Sequence, residues 1–351
     1  MKSYFRPAVD ALAGYTPGEQ PKLDDLVKLN TNENPYPPSP QVAEVLANFT
    51  TEHLRRYPDP TADALRDDIA ARYGVKRGNV ICGNGSDDLL TMVFRAFTAP
   101  DLPVAVPEPS YSLYPVLAAM QEAPVIRMPL TPKTFEPSGN LAELAAGANL
   151  AVLPRPNAPT GNALPKSELE RFIRDFDGVT VIDEAYADFA DDNCMDFAAK
   201  YDNVLVLRTF SKSYSLAGLR LGYAVGHAAL IDGLMKLKDS YNVNMLTQLV
   251  GRAAFADRKT LAEHTAAIRN TRERLARELK GLGFHVVPSQ SNFLFAAPPD
   301  GDGARAFAEL RKAAVIVRYF PGGTTGKYLR ISIGTDSEID RLLDVLRGLY
   351  R

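Results

Sequence analysis

A chain of 351 residues that is 46% hydrophobic and 23% charged can bury a large core, and its length favours two domains over one. A formal net charge of −2 gives no basic field for nucleic acid, and no apolar run approaches the ~20 residues a membrane helix needs. Cys82 and Cys194 are too far apart for a Cys-x-x-Cys site, the four histidines lack ligand spacing, and Met1 to Pro7 carry no signal-like apolar run. The expectation is a cytoplasmic protein in a reducing compartment, without a metal centre or a membrane partner.

Residues 1–30 read as short and polar, with Tyr15 beside Thr16-Pro17-Gly18. Next comes Leu29-Asn30-Thr31-Asn32-Glu33-Asn34-Pro35-Tyr36-Pro37-Pro38, with Pro40 beyond it. Prolines this dense exclude a helix and favour an extended crossing segment. Arg55 to Pro60 is a second proline-rich loop. Thr61 is placed to cap a helix carrying Leu65 and Ile69 that stops near Gly74. Asn79 to Cys82 reads as a short strand. It runs into Gly83-Asn84-Gly85-Ser86-Asp87-Asp88 and a helix with Leu89, Leu90, Val93 and Phe97 on one face. A glycine turn that opens a helix offers free N–H groups and the positive end of the helix dipole to an anion. The bland alternative is a plain tight turn, and the third glycine of a dinucleotide site is missing.

Pro103 to Val106 is a further strand, followed by Pro107-Glu108-Pro109-Ser110-Tyr111-Ser112-Leu113-Tyr114. Tyr111 fits either packing or stacking on a planar ring. Leu150 to Leu153 is a strand that ends in turn chemistry, Pro154 to Gly161, where the Asn157 amide is expected to be free for a ligand. A helix over Lys166 to Phe176 groups Leu169, Phe172 and Phe176. Val179 to Ile182 is a buried-type strand with Asp183 at its end, then Glu184-Ala185-Tyr186. Val204 to Leu207 and Leu219 to Val225 are read as strands on either side of a lysine segment. This alternation predicts an α/β fold with a mostly parallel sheet and helices on both faces. Ligands of such sheets bind beyond the carboxyl ends of the strands. Gly85, Tyr111, Asn157, Asp183 and Lys212 each follow a predicted strand, so they are expected on one edge.

Beyond Tyr241 to Asn244 the chain turns helical, with a long helix over Arg258 to Gly281. Strands follow near 284–287, 292–296, 314–317 and 328–333, then a helix bearing Ile339, Leu342, Leu343 and Leu346, with Asp336 as its cap. We expect a large domain over 31–255 and a smaller α/β domain from 1–30 and 256–351.

The run Thr209-Phe210-Ser211-Lys212-Ser213-Tyr214-Ser215-Leu216-Ala217-Gly218-Leu219-Arg220-Leu221-Gly222-Tyr223 resembles the lysine segment of fold-type I pyridoxal phosphate aminotransferases. Within them it is most similar to the histidinol-phosphate branch, from about Tyr15 to the carboxyl terminus. The resemblance implies pyridoxal 5′-phosphate as cofactor and transamination as the activity. It implies that the Lys212 amine holds the cofactor aldehyde and that Asp183 pairs with the pyridine nitrogen. Tyr186 and Asn157 would reach the ring oxygen from opposite sides, and Tyr111 would cover the ring. Gly85, Ser86, Asp87, Ser211 and Arg220 would cradle the cofactor phosphate. Tyr57 would be offered to the neighbouring subunit's cofactor, which implies a homodimer. Tyr15, Asn32, Asn157, Arg318 and Arg330 would meet the substrates, a phosphorylated amino alcohol and 2-oxoglutarate. Arg330 resembles the arginine that grips a carboxylate or phosphate in a bidentate fork, and Arg318 matches a second phosphate-binding arginine, with a rim charge as its bland alternative. Ala158 departs from the usual asparagine, but it adjoins Asn157 and is not itself a contact in the pattern.

Two rivals fail on particular residues. A nucleotide-hydrolase phosphate loop would need glycine at Pro321 and a Ser or Thr at Tyr328. The His-Gly-Gly arm typical of threonine-phosphate decarboxylases is absent. An aromatic amino acid aminotransferase stays open.

Overall fold

The computed structural model describes residues 2–22 and 25–350. Its first strand, β1 (Val27–Leu29), is three residues long and falls in the short polar stretch over 1–30. Seven strands then build the main sheet: β2 (Val80–Gly83), β3 (Val104–Glu108), β4 (Val125–Pro129), β5 (Leu150–Pro154), β6 (Val179–Asp183), β7 (Val204–Thr209) and β8 (Gly222–Gly226). Their order is β2-β8-β7-β6-β5-β3-β4. All neighbours are parallel except β8, which is antiparallel to both β7 and β2. A parallel crossover needs a helix or its equivalent. Between β7 and β8 the chain has only the 3-10 turn Ala217–Leu219, so β8 has to run back beside β7.

The apolar runs are continuous because both faces of the sheet are covered. Val204 and Val206 of β7 join one buried cluster, with Leu65, Phe172 and Phe255; Leu205 and Leu207 join the other, with Leu90, Val93 and Leu117. This places the Ser86–Phe97 and Leu113–Met120 helices against one face and the Asp63–Tyr73 and Lys166–Asp175 helices against the other.

A second sheet holds β1, β9 (His285–Val286), β10 (Phe293–Ala297), β11 (Val315–Tyr319) and β12 (Leu329–Ser332), in the order β1-β11-β12-β10-β9. β1 runs parallel to β11, pairing Val27 with Val315 and Leu29 with Val317. The expected Arg258–Gly281 helix is present with those bounds and packs Leu275 and Leu279 against this sheet.

Three local expectations change. The Asp63–Tyr73 helix is capped by Asp59, not Thr61: the Asp59 carboxylate accepts from the backbone N–H of Thr61 and of Asp63, each at 2.9 Å. The last helix, Asp336–Tyr350, starts at Asp336 and is capped by Thr335. Thr335 and Glu338 exchange backbone-to-side-chain bonds, while the Asp336 carboxylate pairs with Arg274 at 2.9 Å. The strand read over Leu219 to Val225 begins only at Gly222, because Arg220 has a left-handed backbone, φ 55°. Pro40 opens the helix Pro40–Asn48, the one helical position where proline's missing N–H costs nothing. No helix among the described residues is long and apolar enough to cross a membrane.

Candidate active site

Lys212 sits in the loop between β7 and β8, at the carboxyl edge of the main sheet. Its Nζ donates to the Thr31 carbonyl at 3.0 Å. Burial, and then the nearby Arg330 charge, lower its amine to about 8. A buried ion network fixes the loop. Arg208, 5% exposed, pairs with Glu184 at 2.8 Å and Asp188 at 2.7 Å, and the Ser213 hydroxyl donates to Asp188 at 2.5 Å. Each partner adjoins or nearly adjoins a candidate residue: Glu184 follows Asp183, Asp188 lies just past Tyr186, and Ser213 follows Lys212. One guanidinium therefore ties together the segments that carry Asp183, Tyr186 and Lys212.

Asp183 ends β6 and is buried. It accepts from the Tyr114 hydroxyl at 2.7 Å and from the Ala185 N–H at 3.1 Å. Burial raises its carboxyl to about 6 despite these two bonds. The Tyr186 hydroxyl accepts from the Asn32 amide at 3.0 Å, which leaves its own proton free to donate. Asn32 has φ 55° and is held by the Ser332 hydroxyl and by Asn292, so the proline-rich arm is fastened where the two sheets meet.

The start of the Ser86–Phe97 helix faces the lysine loop. Arg220 donates to Ser211 at 3.2 Å and to Asp87 at 3.1 Å, and the Tyr111 hydroxyl donates to Asp87 at 3.3 Å. Gly85, with φ 87°, has no room for a side chain: a Cβ there would lie 2.5 Å from the Arg220 guanidinium. At Gly222 a Cβ would lie 2.6 Å from the Ser86 backbone nitrogen. Two backbones and one guanidinium thus converge on the helix N-terminus.

On the opposite wall Arg330 donates to the Asn30 carbonyl at 2.8 Å, and its buried Nε has no partner. No carboxylate among the described residues pairs with it; its guanidinium carbon lies 5.3 Å from the ring centres of Phe293 and of Phe320. Arg318 donates to the carbonyls of Thr16 and Pro17 at 3.1 and 3.2 Å. Tyr15 meets Tyr111 edge to face at 5.7 Å. These groups enclose a cavity of about 350 Å³ bordered by Tyr15, Asn32, Ser86, Asp87, Tyr111, Asp183, Tyr186, Ser211, Lys212, Arg220, Arg318 and Arg330. A larger cavity of about 940 Å³, lined by Phe135, Arg155, Arg272 and Gln290, borders none of Lys212, Asp183 and Arg330.

The sequence profile described as aminotransferase class I and II matches residues 24–346. The chain belongs to the class I and II aminotransferases. A Bordetella parapertussis protein named histidinol-phosphate aminotransferase 1 is 43% identical, covering 100% of this chain and 99% of the relative. One of the same name from Trichormus variabilis is 41% identical, covering 100% of both. A crystal structure of histidinol-phosphate aminotransferase from Sinorhizobium meliloti in complex with pyridoxal-5′-phosphate superposes with a TM-score of 0.88 at 25% identity, covering 99% of each chain.

In this aminotransferase three expected residues are not in the lining of the cavity: Gly85, whose neighbours Ser86 and Asp87 border it, Asn157 and Tyr57. Asn157 was expected to carry a free amide. Its Nδ2 donates to the Pro109 carbonyl at 3.1 Å and to Thr160 at 2.8 Å, and its Oδ1 accepts from Ser110 at 2.9 Å. The amide is spent on holding the 109–110 segment. Tyr57 is 77% exposed and stacks on Tyr241 at 4.4 Å, away from the site of its own chain. Tyr114, which donates to Asp183, joins the site without having been among the expected residues. It stands one helical turn after Tyr111, and that spacing was the available signal.

Proposed function

We propose that this aminotransferase moves the amino group of L-histidinol phosphate to 2-oxoglutarate, giving imidazole-acetol phosphate and glutamate, a step of histidine biosynthesis. Pyridoxal 5′-phosphate is the cofactor, and the residues present fit it. A half-buried amine, a buried carboxylate and a helix N-terminus that opens after a glycine border one cavity. When bound, the cofactor supplies an aldehyde that carries the amino group and a ring that accepts electrons from the carbon bearing it.

The chain's own groups do the rest. Lys212, with an amine lowered to about 8, holds the cofactor and moves the proton at the amine-bearing carbon. Asp183 holds a proton on the ring nitrogen, and a cation facing it offsets the cost of its burial. Tyr186 donates to the ring oxygen, oriented by Asn32 at the substrate's border. Tyr111 covers the ring. Gly85, Ser86, Asp87, Ser211 and Arg220 form the phosphate cradle, with Asp87 holding Arg220 in place. Asn157 supports the ring-facing loop through Ser110.

The observation that carries the reading is Arg330, a half-buried guanidinium with a buried, unpartnered Nε and no carboxylate partner among the described residues. Such a charge wants an anion, and a planar fork suits both a phosphate and a carboxylate. Arg318 and Tyr15 add contacts that a dianion can use. Tyr57 is assigned to the cofactor phosphate of a second copy, which makes the working unit a cytoplasmic homodimer.

The test is kcat/KM on two donors. Arg330→Lys replaces a fork with a point charge. It should cost roughly tenfold to 150-fold for histidinol phosphate and glutamate alike, the worth of one charged hydrogen bond. Arg318→Ala should weaken histidinol phosphate more than glutamate. Equal losses would remove Arg318 as the phosphate-selective contact. Wild-type preference for phenylalanine or tyrosine over histidinol phosphate would defeat the substrate assignment.

A further inference from the structure

We infer that Tyr114 is a positioning residue that keeps Asp183 ionised, so that the carboxylate is ready for the cofactor's ring nitrogen. The inference rests on the proposed cofactor and concerns one contact. Tyr114 is 1% exposed and Asp183 6% exposed, and their oxygens are 2.7 Å apart. The phenol has no other hydrogen-bond partner within reach among the described residues, so its proton is committed to Asp183. Burial holds that proton on the phenol, well above tyrosine's ordinary range, so Tyr114 stays a donor at every working pH.

The surroundings of Asp183 show why the donor matters. Asp87 and Glu184 add negative charge, and both press the carboxyl toward its neutral form. Tyr111 and Tyr186 lie beside Tyr114, while Lys212, Arg220, Arg318 and Arg330 are cations that border the same cavity. Against burial and two like charges stand two hydrogen bonds, from Tyr114 and from the Ala185 N–H. With both present the carboxyl titrates at about 6, just below neutrality. Losing one charged hydrogen bond moves that point upward, roughly one to two pH units. A protonated Asp183 cannot pair with a protonated ring nitrogen, so binding would then require the carboxyl's proton to leave.

The test is cofactor affinity against pH, measured with pyridoxamine 5′-phosphate. This form keeps the ring nitrogen and phosphate but has no aldehyde, so Lys212 forms no bond to it. The quantity read is the ratio of Kd for Tyr114→Phe to Kd for wild type, in which the ligand's own titrations cancel. The ratio should be near one at pH 9. It should rise to roughly fivefold to fiftyfold as pH falls to 6, as the shifted carboxyl takes up its proton. In an Asp183→Asn background the Tyr114→Phe effect should vanish, because the two act through one contact. A tyrosine that only fills space would keep its effect there. Should Tyr114→Phe not fold, 3-fluorotyrosine at position 114 preserves the ring, strengthens the donor and should move the break to lower pH. A pH-independent ratio, an effect that persists with Asp183→Asn, or an unmoved break with fluorotyrosine overturns the inference. Failure of wild type to bind the cofactor at all would instead overturn the proposed function.

Discussion

Lys212 carries a conflict that the reaction can use. Its ammonium form is penalised first by burial and then by the Arg330 charge, so a base is available near pH 8 and not only above pH 10. Only the neutral amine attacks an aldehyde. The rate at which apo protein takes up pyridoxal phosphate should therefore rise with pH and level off above about 8. Arg330→Met removes a neighbouring positive charge, which favours the ammonium, so this break should move to higher pH. Stopped-flow absorbance of cofactor attachment reads the break directly. An unmoved break in Arg330→Met would mean that the arginine does not act on the amine. At this scale the sequence was informative where chemistry and position coincide: an acid at a strand end, Asp183, and a lysine between serines, Lys212. It was silent on Tyr114 and misleading on Asn157. Which neighbour a phenol or an amide turns to depends on helix and loop placement in three dimensions.

Among the elements, the tightest fit is between β8 and the start of the Ser86–Phe97 helix. A methyl at Gly222 would lie 2.6 Å from the Ser86 nitrogen and 2.7 Å from the Gly85 carbonyl carbon, and both are backbone atoms that cannot rotate aside. Gly222→Ala should push the helix start away from Arg220, costing about 1–3 kcal/mol of stability as overpacking does. Cofactor affinity should fall with it. Thermal melting and a pyridoxal phosphate titration together check this, and an unchanged cradle affinity would show that the close approach has no role there. The sheet was legible because strands buried on both faces read as unbroken apolar runs, as in β5, β6 and β7. β1 is only three residues long and pairs with a strand near the other end of the chain, so no local pattern marks it. β4 is an edge strand and includes the exposed Arg127. The lysine segment misled at its end, since Leu219 to Val225 reads as continuous but turns left-handed at Arg220.

At the scale of the molecule, the arm at 30–34 ties both sheets to the lysine loop. Arg330 of the second sheet binds the Asn30 carbonyl, Lys212 binds the Thr31 carbonyl, and Asn34 binds the Ser213 carbonyl. One group proposed for the site does not arrive within the chain. Tyr57 is 77% exposed on a surface that also presents Leu54, 68% exposed, and the stacked Tyr241. Apolar side chains this exposed suit a contact with a second copy, and two-fold symmetry would give each site one Tyr57 from the other chain. Subunit mixing tests this. Lys212→Ala chains should be inactive, and Tyr57→Ala chains should lose a contact to the cofactor phosphate. In a mixed dimer one site receives both lesions and the other neither. After exchange of equal amounts, half the dimers are mixed and about a quarter of all sites are native. Activity should rise above that of either parent toward about a quarter of wild type. Light scattering establishes that dimers form, and mass spectrometry of isotope-labelled chains establishes that they exchange. If exchange is complete, Tyr57→Ala alone is impaired, and mixing restores nothing, then Tyr57 serves its own chain and the site is not shared.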